Sequence, residues 1–155
     1  MEHKAAGTIT FAMMERSDCE AAAVIEQQLF SRPWSKKALE ESLEREESCY
    51  VTAKAGSVLL GYCGLYLTFG EGYINQVAVK SSCQGQGIGK QMLTFLLTKA
   101  RERGMNACSL EVRVSNERAR ALYASLKFEE SGIRPRFYED PTEDAMILWR
   151  RWEER

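Results

Sequence analysis

A cluster of small residues between a predicted strand and a predicted helix is the first feature of this sequence that could do chemistry. It reads Gln84-Gly85-Gln86-Gly87-Ile88-Gly89-Lys90. The start of a helix offers backbone N–H groups without partners in the helix, together with the positive end of the helix dipole. Glycines let a phosphate approach such a backbone closely. The cluster therefore predicts an anion site, and a pyrophosphate fits it on physical grounds.

The spacing of the glycines disfavours two common nucleotide-binding motifs. Gly85, Gly87 and Gly89 give G-x-G-x-G, whereas the dinucleotide fingerprint needs G-x-G-x-x-G. A Walker loop needs Ser or Thr after its Gly-Lys pair, and here Lys90 is followed by Gln91. A Rossmann-type oxidoreductase is therefore disfavoured. A plain glycine-rich turn remains the alternative to an anion site.

Two further residues have side chains suited to proton transfer. Glu111 is a carboxylate within an apolar strand, and its neighbours point to the opposite face, which favours a side chain directed at a cleft. The alternative is a solvated residue paired with Arg113 or Arg118. Tyr123 could donate a proton from its phenol. Its place on the apolar stripe of a helix is also typical of a core residue.

Two aromatic residues could serve a peptide substrate. Trp34 lies between the first two predicted helices, and Tyr138 lies between the last two predicted strands, 128–133 and 145–152. Both are predicted to be in loops, where exposed rings can clamp a peptide backbone. The alternative is that each ring plugs a local apolar gap, because Trp and Tyr are often buried.

The histidine and the cysteines do not support metal or disulfide chemistry. The single histidine is His3, which removes His-dependent triads and His-rich metal sites. The cysteines are odd in number, widely spaced and without a C-x-x-C pair, which favours free thiols in a reducing cytosol. They are Cys19, Cys49, Cys63, Cys83 and Cys108. We expect buried, inert thiols and no bound metal.

Apolar periodicity and turn residues predict the elements that must position these groups. Three consecutive strands, 49–53, 58–69 and 73–79, are separated by glycine turns and predict an antiparallel meander. Ser35 and Asn116 are predicted helix caps. The complete order is β-α-α-β-β-β-α-β-α-β-β. It predicts an α/β (α+β) fold with a mixed, mostly antiparallel central sheet and helices on both faces.

Composition bounds the class of protein. The chain has 155 residues, 45% of them hydrophobic, with 21 Lys+Arg against 22 Asp+Glu. This predicts one globular domain over residues 1–155 and excludes disorder as the main state. The balanced charge argues against a dedicated nucleic-acid binder. No run approaches 18 apolar residues, and the first residues lack the apolar segment of a secretory signal, so we expect a cytoplasmic protein without a membrane span.

The glycine cluster and the segments after it resemble the GCN5-related N-acetyltransferase (GNAT) superfamily. Residues Gln84–Gly89 are similar to the Arg/Gln-x-x-Gly-x-Gly/Ala motif, with which this family holds the pyrophosphate of acetyl-coenzyme A. Other matching segments resemble the bacterial RimI type, which acetylates the N-terminal alanine of a ribosomal protein. They are Phe30–Ser35, Leu110–Asn116, Ala119, Ala121–Tyr123, Leu126–Phe128 and Arg134–Ala145. Gln76–Val79 resembles the strand end that precedes the motif in the family.

Two positions depart from the family pattern. Lys127 stands where the family usually has Gly just after the helix, so that turn must hold a non-glycine residue. Gly85 occupies a loop position that is often Arg, which weakens an expected phosphate contact.

The resemblance implies a role for each candidate residue. Glu111 would be the proton acceptor for the amine, directly or through a water, and Tyr123 the proton donor to the coenzyme A thiolate. The remaining implied contacts with acetyl-coenzyme A come from backbone groups of the strand end, from the glycine cluster and from a helix cap. These residues are Val77, Ala78, Val79, Gly85, Gln86, Gly87, Ile88, Gly89, Lys90 and Asn116.

The resemblance implies a cytoplasmic acetyltransferase that transfers acetyl directly, in a ternary complex, to a ribosomal-protein N-terminus. A monomer or weak dimer without nucleic-acid or membrane partners is expected. Two alternatives stay open. The same fold could act on a small amine such as a polyamine or an antibiotic, and the acidic stretch from Glu139 to Asp144 is compatible with that. A non-catalytic acyl-coenzyme A sensor would bind the nucleotide without amine-dependent thiol release.

Overall fold

The computed structural model describes residues 8–152, and the predicted order of elements is confirmed. His3 lies outside the described residues. The strands are β1 Ile9–Met13, β2 Ser48–Ala55, β3 Val58–Thr68, β4 Glu71–Val79, β5 Ala107–Arg113, β6 Glu129–Tyr138 and β7 Glu143–Arg151. The helices are α1 Cys19–Leu29, α2 Lys36–Leu43, α3 Ile88–Glu102 and α4 Glu117–Ser125, with short 3-10 turns at Arg16–Asp18 and Ser81–Cys83.

The seven strands form one sheet in the order β1-β2-β3-β4-β5-β7-β6. Strands β2, β3 and β4 pair antiparallel in sequence, which confirms the predicted meander. Among residues 8–152 the one parallel pair is β4 with β5, and it covers only Glu71–Tyr73 against Ala107–Ser109. Because the two central strands pair only at one end, the sheet opens between them beyond Tyr73.

Two apolar cores cover opposite faces of the sheet. One packs α3 and α4 onto the sheet and includes Leu93, Leu96 and Leu110. The other packs α1 and α2 against the second face and includes Ile25 and Leu39. Residues alternate in direction along β5, so Leu110 faces the α3 side and Glu111 faces the α1–α2 side.

Local signals act as predicted at both helix caps and at one turn. The side-chain oxygen of Ser35 accepts a hydrogen bond from Ala38 N–H at 3.1 Å. That of Asn116 accepts one from Ala119 N–H at 3.1 Å. Lys127 has a φ of 71°, so the turn where the family usually has glycine does carry a left-handed lysine.

The loop placement of Tyr138 is wrong, because β6 is longer than predicted and ends at Tyr138. The register between β6 and β7 shifts between Arg134 and Tyr138, and Tyr138 then pairs with Glu143. Since β6 is the edge strand, Pro135 lies within it without breaking a central hydrogen-bond ladder.

Within residues 8–152, no helix is long and apolar enough to cross a membrane.

Candidate active site

A cleft of about 1000 Å³ opens where β4 and β5 part. An irregularity in β4 helps to open it, because the register with β3 shifts between Gly64 and Leu65 and leaves Asn75 unpaired. The cleft is lined by residues from β4, β5, α1, α4 and the β6–β7 turn. Six of the predicted site residues share it, namely Trp34, Val77, Glu111, Asn116, Tyr123 and Tyr138.

The edge of β4 that faces away from β3 is open beyond the short pairing with β5. Lys80 N–H donates to Leu60 C=O at 2.8 Å, which marks a hydrogen-bonded pair of the β3–β4 ladder. Because such pairs alternate, the backbone groups of Ala78 pair with β3, whereas those of Val77 and Val79 face the open edge. The prediction that all three residues offer their backbone to a ligand is therefore corrected for Ala78.

The carboxylate of Glu111 lies in the cleft with its side chain only 9% exposed. Its Oε1 accepts a hydrogen bond of 2.5 Å from Tyr73 Oη, and its Oε2 lies 3.4 Å from Arg134 Nη2. Neither Arg113 nor Arg118 pairs with it among the described residues, so the alternative of a solvated pair with those arginines is wrong. Arg113 instead pairs with Glu143.

Tyr123 packs in the core and also reaches the cleft. Its ring is buried, 4% exposed, and meets Phe128 edge-on at a centroid distance of 5.6 Å. It also lines the cleft. In the described part of the chain its hydroxyl has no protein hydrogen-bond partner. Burial raises the pKa of Tyr123 well above its ordinary value, so the phenol keeps its proton at neutral pH.

One mouth of the cleft is formed by the α1–α2 loop and the β6–β7 hairpin. Trp34 and Tyr138 are half-buried on these two segments. An ion pair joins the segments, because Arg32 Nη2 lies 2.8 Å from both Glu139 Oε1 and Asp140 Oδ2. Burial and the nearby Glu111 raise the pKa of Tyr138 to about 12. The mouth is therefore aromatic, and its acidic residues face an arginine.

The glycine cluster lies between β4 and α3, and its residues are not among those that line the cleft. Gly85 and Gly87 have φ values of 81° and 83°, the left-handed region that glycine adopts without strain. Gly87 precedes α3 without a side-chain cap, so the first N–H groups of the helix remain available to a ligand. Gln84 Nε2 ties the loop to the open edge through a 3.0 Å hydrogen bond to Val79 C=O. This cradle fits a pyrophosphate.

An arginine from α4 reaches the glycine cluster. A Cβ atom placed on Gly85 would lie 3.1 Å from Nη2 of Arg118. Arg118 is exposed and forms no ion pair within the described part of the chain. The position that is often arginine in the family is thus glycine here, and a guanidinium from another element occupies the neighbouring space.

Five residues around the cleft were not predicted as site residues. Tyr73 and Arg134 contact Glu111, as described above. Glu26 is completely buried in α1 and accepts hydrogen bonds from Tyr62 and Gln76 on the sheet. The available signal was a carboxylate on the apolar stripe of α1, one position after the buried Ile25.

The thiols and the metal-ligating side chains offer no alternative chemistry. Burial raises the pKa of Cys108 to about 12 and raises that of Cys63 as well, so these thiols are protonated and poor nucleophiles. Among the described residues, no group of three His, Cys, Asp or Glu side chains is placed to hold a metal ion.

Comparison with known proteins gives the family. The family model described as "Acetyltransferase (GNAT) family" matches residues 17–128. This chain belongs to the GNAT acetyltransferase family. It is therefore an acyltransferase, and the predicted family, fold and class of enzyme are confirmed.

Several named acetyltransferases are similar to this protein over nearly its full length. The N-alpha-acetyltransferase RimI of Mycobacterium tuberculosis is 34% identical over 148 residues, which cover 92% of both chains. The crystal structure of the ribosomal-protein-S18-alanine N-acetyltransferase from Escherichia coli superposes with a TM-score of 0.87 at 31% identity and covers 96% of both chains. The structure of YncA from Salmonella typhimurium, solved with its cofactor acetyl-CoA, has a TM-score of 0.82 at 18% identity over 96% of both chains, and so shows the fold alone.

Proposed function

We propose that this protein is an acetyl-coenzyme A-dependent N-terminal acetyltransferase that modifies the N-terminal alanine of a ribosomal protein. The observation that carries the proposal is a single cleft that holds Glu111 and Tyr123 between the open edge of β4 and an aromatic mouth. The similarity to the RimI enzymes named above supports the acceptor. Such an acceptor would place the enzyme in the cytoplasm, where ribosomal proteins are made.

Acetyl-coenzyme A would lie along the open edge of β4, with its pyrophosphate on the glycine cluster. The backbone groups of Val77 and Val79 face that edge and can pair with the amide-bearing pantetheine arm in the way that an added strand pairs. The backbone from Gly85 to Lys90 would hold the pyrophosphate, with the charge of Arg118 beside it. Asn116 lines the cleft while its side-chain oxygen caps α4.

The acidic and basic groups of the cleft divide the proton transfers between them. When bound, acetyl-coenzyme A supplies the acetyl group as a thioester, and transfer forms a C–N bond as the C–S bond breaks. Glu111 takes a proton from the ammonium of the acceptor, either directly or through a water. Tyr123 gives its phenolic proton to the departing thiolate, and the second proton lost by the acylated nitrogen restores the phenol. A backbone N–H on the open edge of β4 polarises the carbonyl.

The acceptor peptide would enter through the mouth formed by the α1–α2 loop and the β6–β7 hairpin. Trp34 and Tyr138 present aromatic faces there, which suits an extended peptide. The acids Glu139 and Asp140, which a polyamine would need, are already paired with Arg32. This pairing favours a peptide over a polycation.

The deciding experiment incubates the pure protein with acetyl-coenzyme A and short peptides beginning with Ala, Ser, Met or Thr. Release of free thiol is followed, and the acetylated nitrogen is located by mass spectrometry. We expect rapid, amine-dependent release with the peptide that begins with Ala, and slow release with a polyamine. Thiol release with the polyamine alone would overturn the peptide assignment. Binding of the nucleotide without any release would indicate a sensor.

A further inference from the structure

A completely buried carboxylate lies on the acceptor side of the cleft. Glu26 lies in the last turns of α1, is 0% exposed, and belongs to the lining of the cleft. A Glu side chain is almost never fully buried unless partners compensate for the lost water. Across residues 8–152 no Lys or Arg pairs with it, so neutral donors provide the compensation. The mechanism described above does not use this residue.

Three donors from three different segments converge on Glu26. Its Oε1 accepts a hydrogen bond of 2.9 Å from the backbone N–H of Trp34 in the α1–α2 loop. Its Oε2 accepts 2.5 Å hydrogen bonds from Tyr62 Oη on β3 and from Gln76 Nε2 on β4. The Tyr62 hydroxyl also accepts from Gln76 Nε2 at 3.2 Å, which closes the network. Burial and the hydrogen bond to Glu26 raise the pKa of Tyr62, so its hydroxyl remains a donor.

This network connects the two sides of the cleft. Trp34 belongs to the mouth, where the acceptor would enter, and Gln76 directly precedes Val77 on the edge where the nucleotide would lie. Gln76 also directly follows Asn75, the residue at which the register between β3 and β4 shifts. One carboxylate therefore fixes the acceptor loop relative to β4.

The other polar tie of the α1–α2 loop is weaker. Arg32 pairs with Glu139 and Asp140, but all three side chains are more than half exposed. Exposed ion pairs are screened by solvent and salt and contribute little. The hydrogen bond from Trp34 N–H to the buried Glu26 is shielded from solvent, so it anchors this loop more firmly than the Arg32 ion pairs do.

We propose that Glu26 is a positioning residue for the acceptor, which holds the Trp34 loop at a set distance from β4 through Trp34 N–H, Tyr62 and Gln76. The inference rests on the proposed function, because that function assigns the Trp34 side of the cleft to the acceptor peptide. Loss of the tie raises the KM for the peptide and leaves nucleotide binding nearly intact.

The side chains of Glu26 and Gln76 allow a test that preserves their volumes. In E26Q, an amide with one oxygen replaces the carboxylate, so a single acceptor remains for the Trp34 N–H on one side and for Tyr62 and Gln76 on the other. In Q76E, two carboxylates face each other. In the double variant E26Q/Q76E, one amide and one carboxylate face each other again with their positions exchanged, and every donor has an acceptor. E20Q, an exposed substitution on the same helix, is the matched control.

Two independent readouts are measured on the full chain, with folding monitored by thermal unfolding. In E26Q the KM for a peptide that begins with Ala rises about tenfold or more, because a buried polar group loses its partner. The Kd for acetyl-coenzyme A, measured by calorimetry, stays within about twofold of the wild type. Hydrogen exchange of the Trp34 amide, followed by NMR, speeds up about tenfold. The double variant recovers most of both losses, and E20Q changes neither.

The outcomes separate this inference from the proposed function. An unchanged peptide KM and unchanged Trp34 amide exchange in E26Q overturn the positioning role, as does a double variant no better than E26Q. If the wild type acetylates no peptide, the proposed function fails. Exchange of the Trp34 amide is then the one readout that tests whether Glu26 holds the loop. Faster exchange in E26Q that the double variant reverses then supports the tie, and unchanged exchange overturns it.

Discussion

The carboxylate of Glu111 contacts one hydroxyl and one guanidinium. Tyr73 donates a hydrogen bond to it, and burial together with that hydrogen bond raises the pKa of Tyr73, so the hydroxyl orients Glu111 without competing as an acid. Arg134 is about half exposed, so solvent screens its charge. These two contacts hold the carboxylate in place within the cleft.

Substitution of Glu111 tests the proton acceptor. We expect Glu111→Gln to lower kcat about 100-fold or more, because an amide cannot accept the proton of the ammonium. The affinity for acetyl-coenzyme A should stay near that of the wild type, since Glu111 lies away from the glycine cluster. Steady-state kinetics and calorimetry measure the two effects. Glu129→Gln on the edge strand β6 is the control, and a wild-type rate in Glu111→Gln would exclude the role.

Substitution of Tyr123 separates packing from chemistry. The hydroxyl has no protein partner in residues 8–152, so Tyr123→Phe keeps the ring packing, and the free energy of unfolding should change by less than about 1 kcal/mol. The value of kcat should still fall about tenfold or more, because the thiolate loses its proton donor. Since the pKa of Tyr123 is raised, its ionisation should not reduce the wild-type rate at neutral or mildly alkaline pH. Undiminished turnover in Tyr123→Phe would mean that the ring only packs.

At the scale of the elements, β7 is joined to the turn before α4 by one carboxylate. Glu143 accepts a hydrogen bond of 2.7 Å from Ser115 N–H and pairs with Arg113 at 3.2 Å. The hydrogen bonds with Ser115, followed by Arg113, lower the pKa of Glu143 from its ordinary value of 4.5. This contact holds the β6–β7 hairpin, and with it Tyr138, beside the cleft.

The lowered pKa predicts a pH-dependent contribution to stability. A carboxyl with a depressed pKa in the folded state stabilises it fully above the unfolded-state pKa and loses that effect as the pH falls through the lower folded value. Glu143→Gln should therefore destabilise the protein modestly at pH 7, and the difference from the wild type should shrink as the pH falls below about 4.5. Urea unfolding at a series of pH values measures it. If the difference in unfolding free energy between Glu143→Gln and the wild type did not vary with pH, the stabilising role of ionised Glu143 would be wrong.

Local sequence signals were enough to predict the helices and strands and their order, but not the residues at which strands end. Ser35 and Asn116 cap their helices through a hydrogen bond three residues along the chain, which is visible in the sequence. Tyr138 was wrongly placed in a loop, because β6 is held there by its pairing with Glu143 and not by its own alternation of residues. Pairing with a distant strand leaves no local pattern.

At the scale of the whole molecule, one ligand would join elements that the sheet leaves apart. Acetyl-coenzyme A would contact the open edge of β4, the start of α3 and Arg118 on α4. Arg118 lies beside Gly85, and Gln84 is hydrogen-bonded to Val79 on the open edge. Binding to the folded state alone should therefore stabilise the entire protein.

Thermal unfolding with and without the nucleotide checks this expectation. At a concentration of about 100 times its Kd, acetyl-coenzyme A should increase the free energy of unfolding by about 2.7 kcal/mol. The Tm should then rise by roughly 5 to 10 °C. At the same nucleotide concentration, Arg118→Ala should show a smaller increase, because a charged contact with phosphate is lost. Lys37→Ala, an exposed substitution on α2, should behave as the wild type. The absence of a Tm increase in the wild type would contradict the nucleotide site.

The sequence by itself determined the order of elements, and it predicted an anion site at Gln84–Lys90 and the candidates Glu111 and Tyr123, because each depends on spacing within one segment. Only the tertiary structure decided which groups meet. The burial of Glu26, its hydrogen bonds to three segments and the approach of Arg118 to Gly85 join residues far apart in the chain. Such contacts arise from how distant segments pack against one another, and no local pattern encodes that packing.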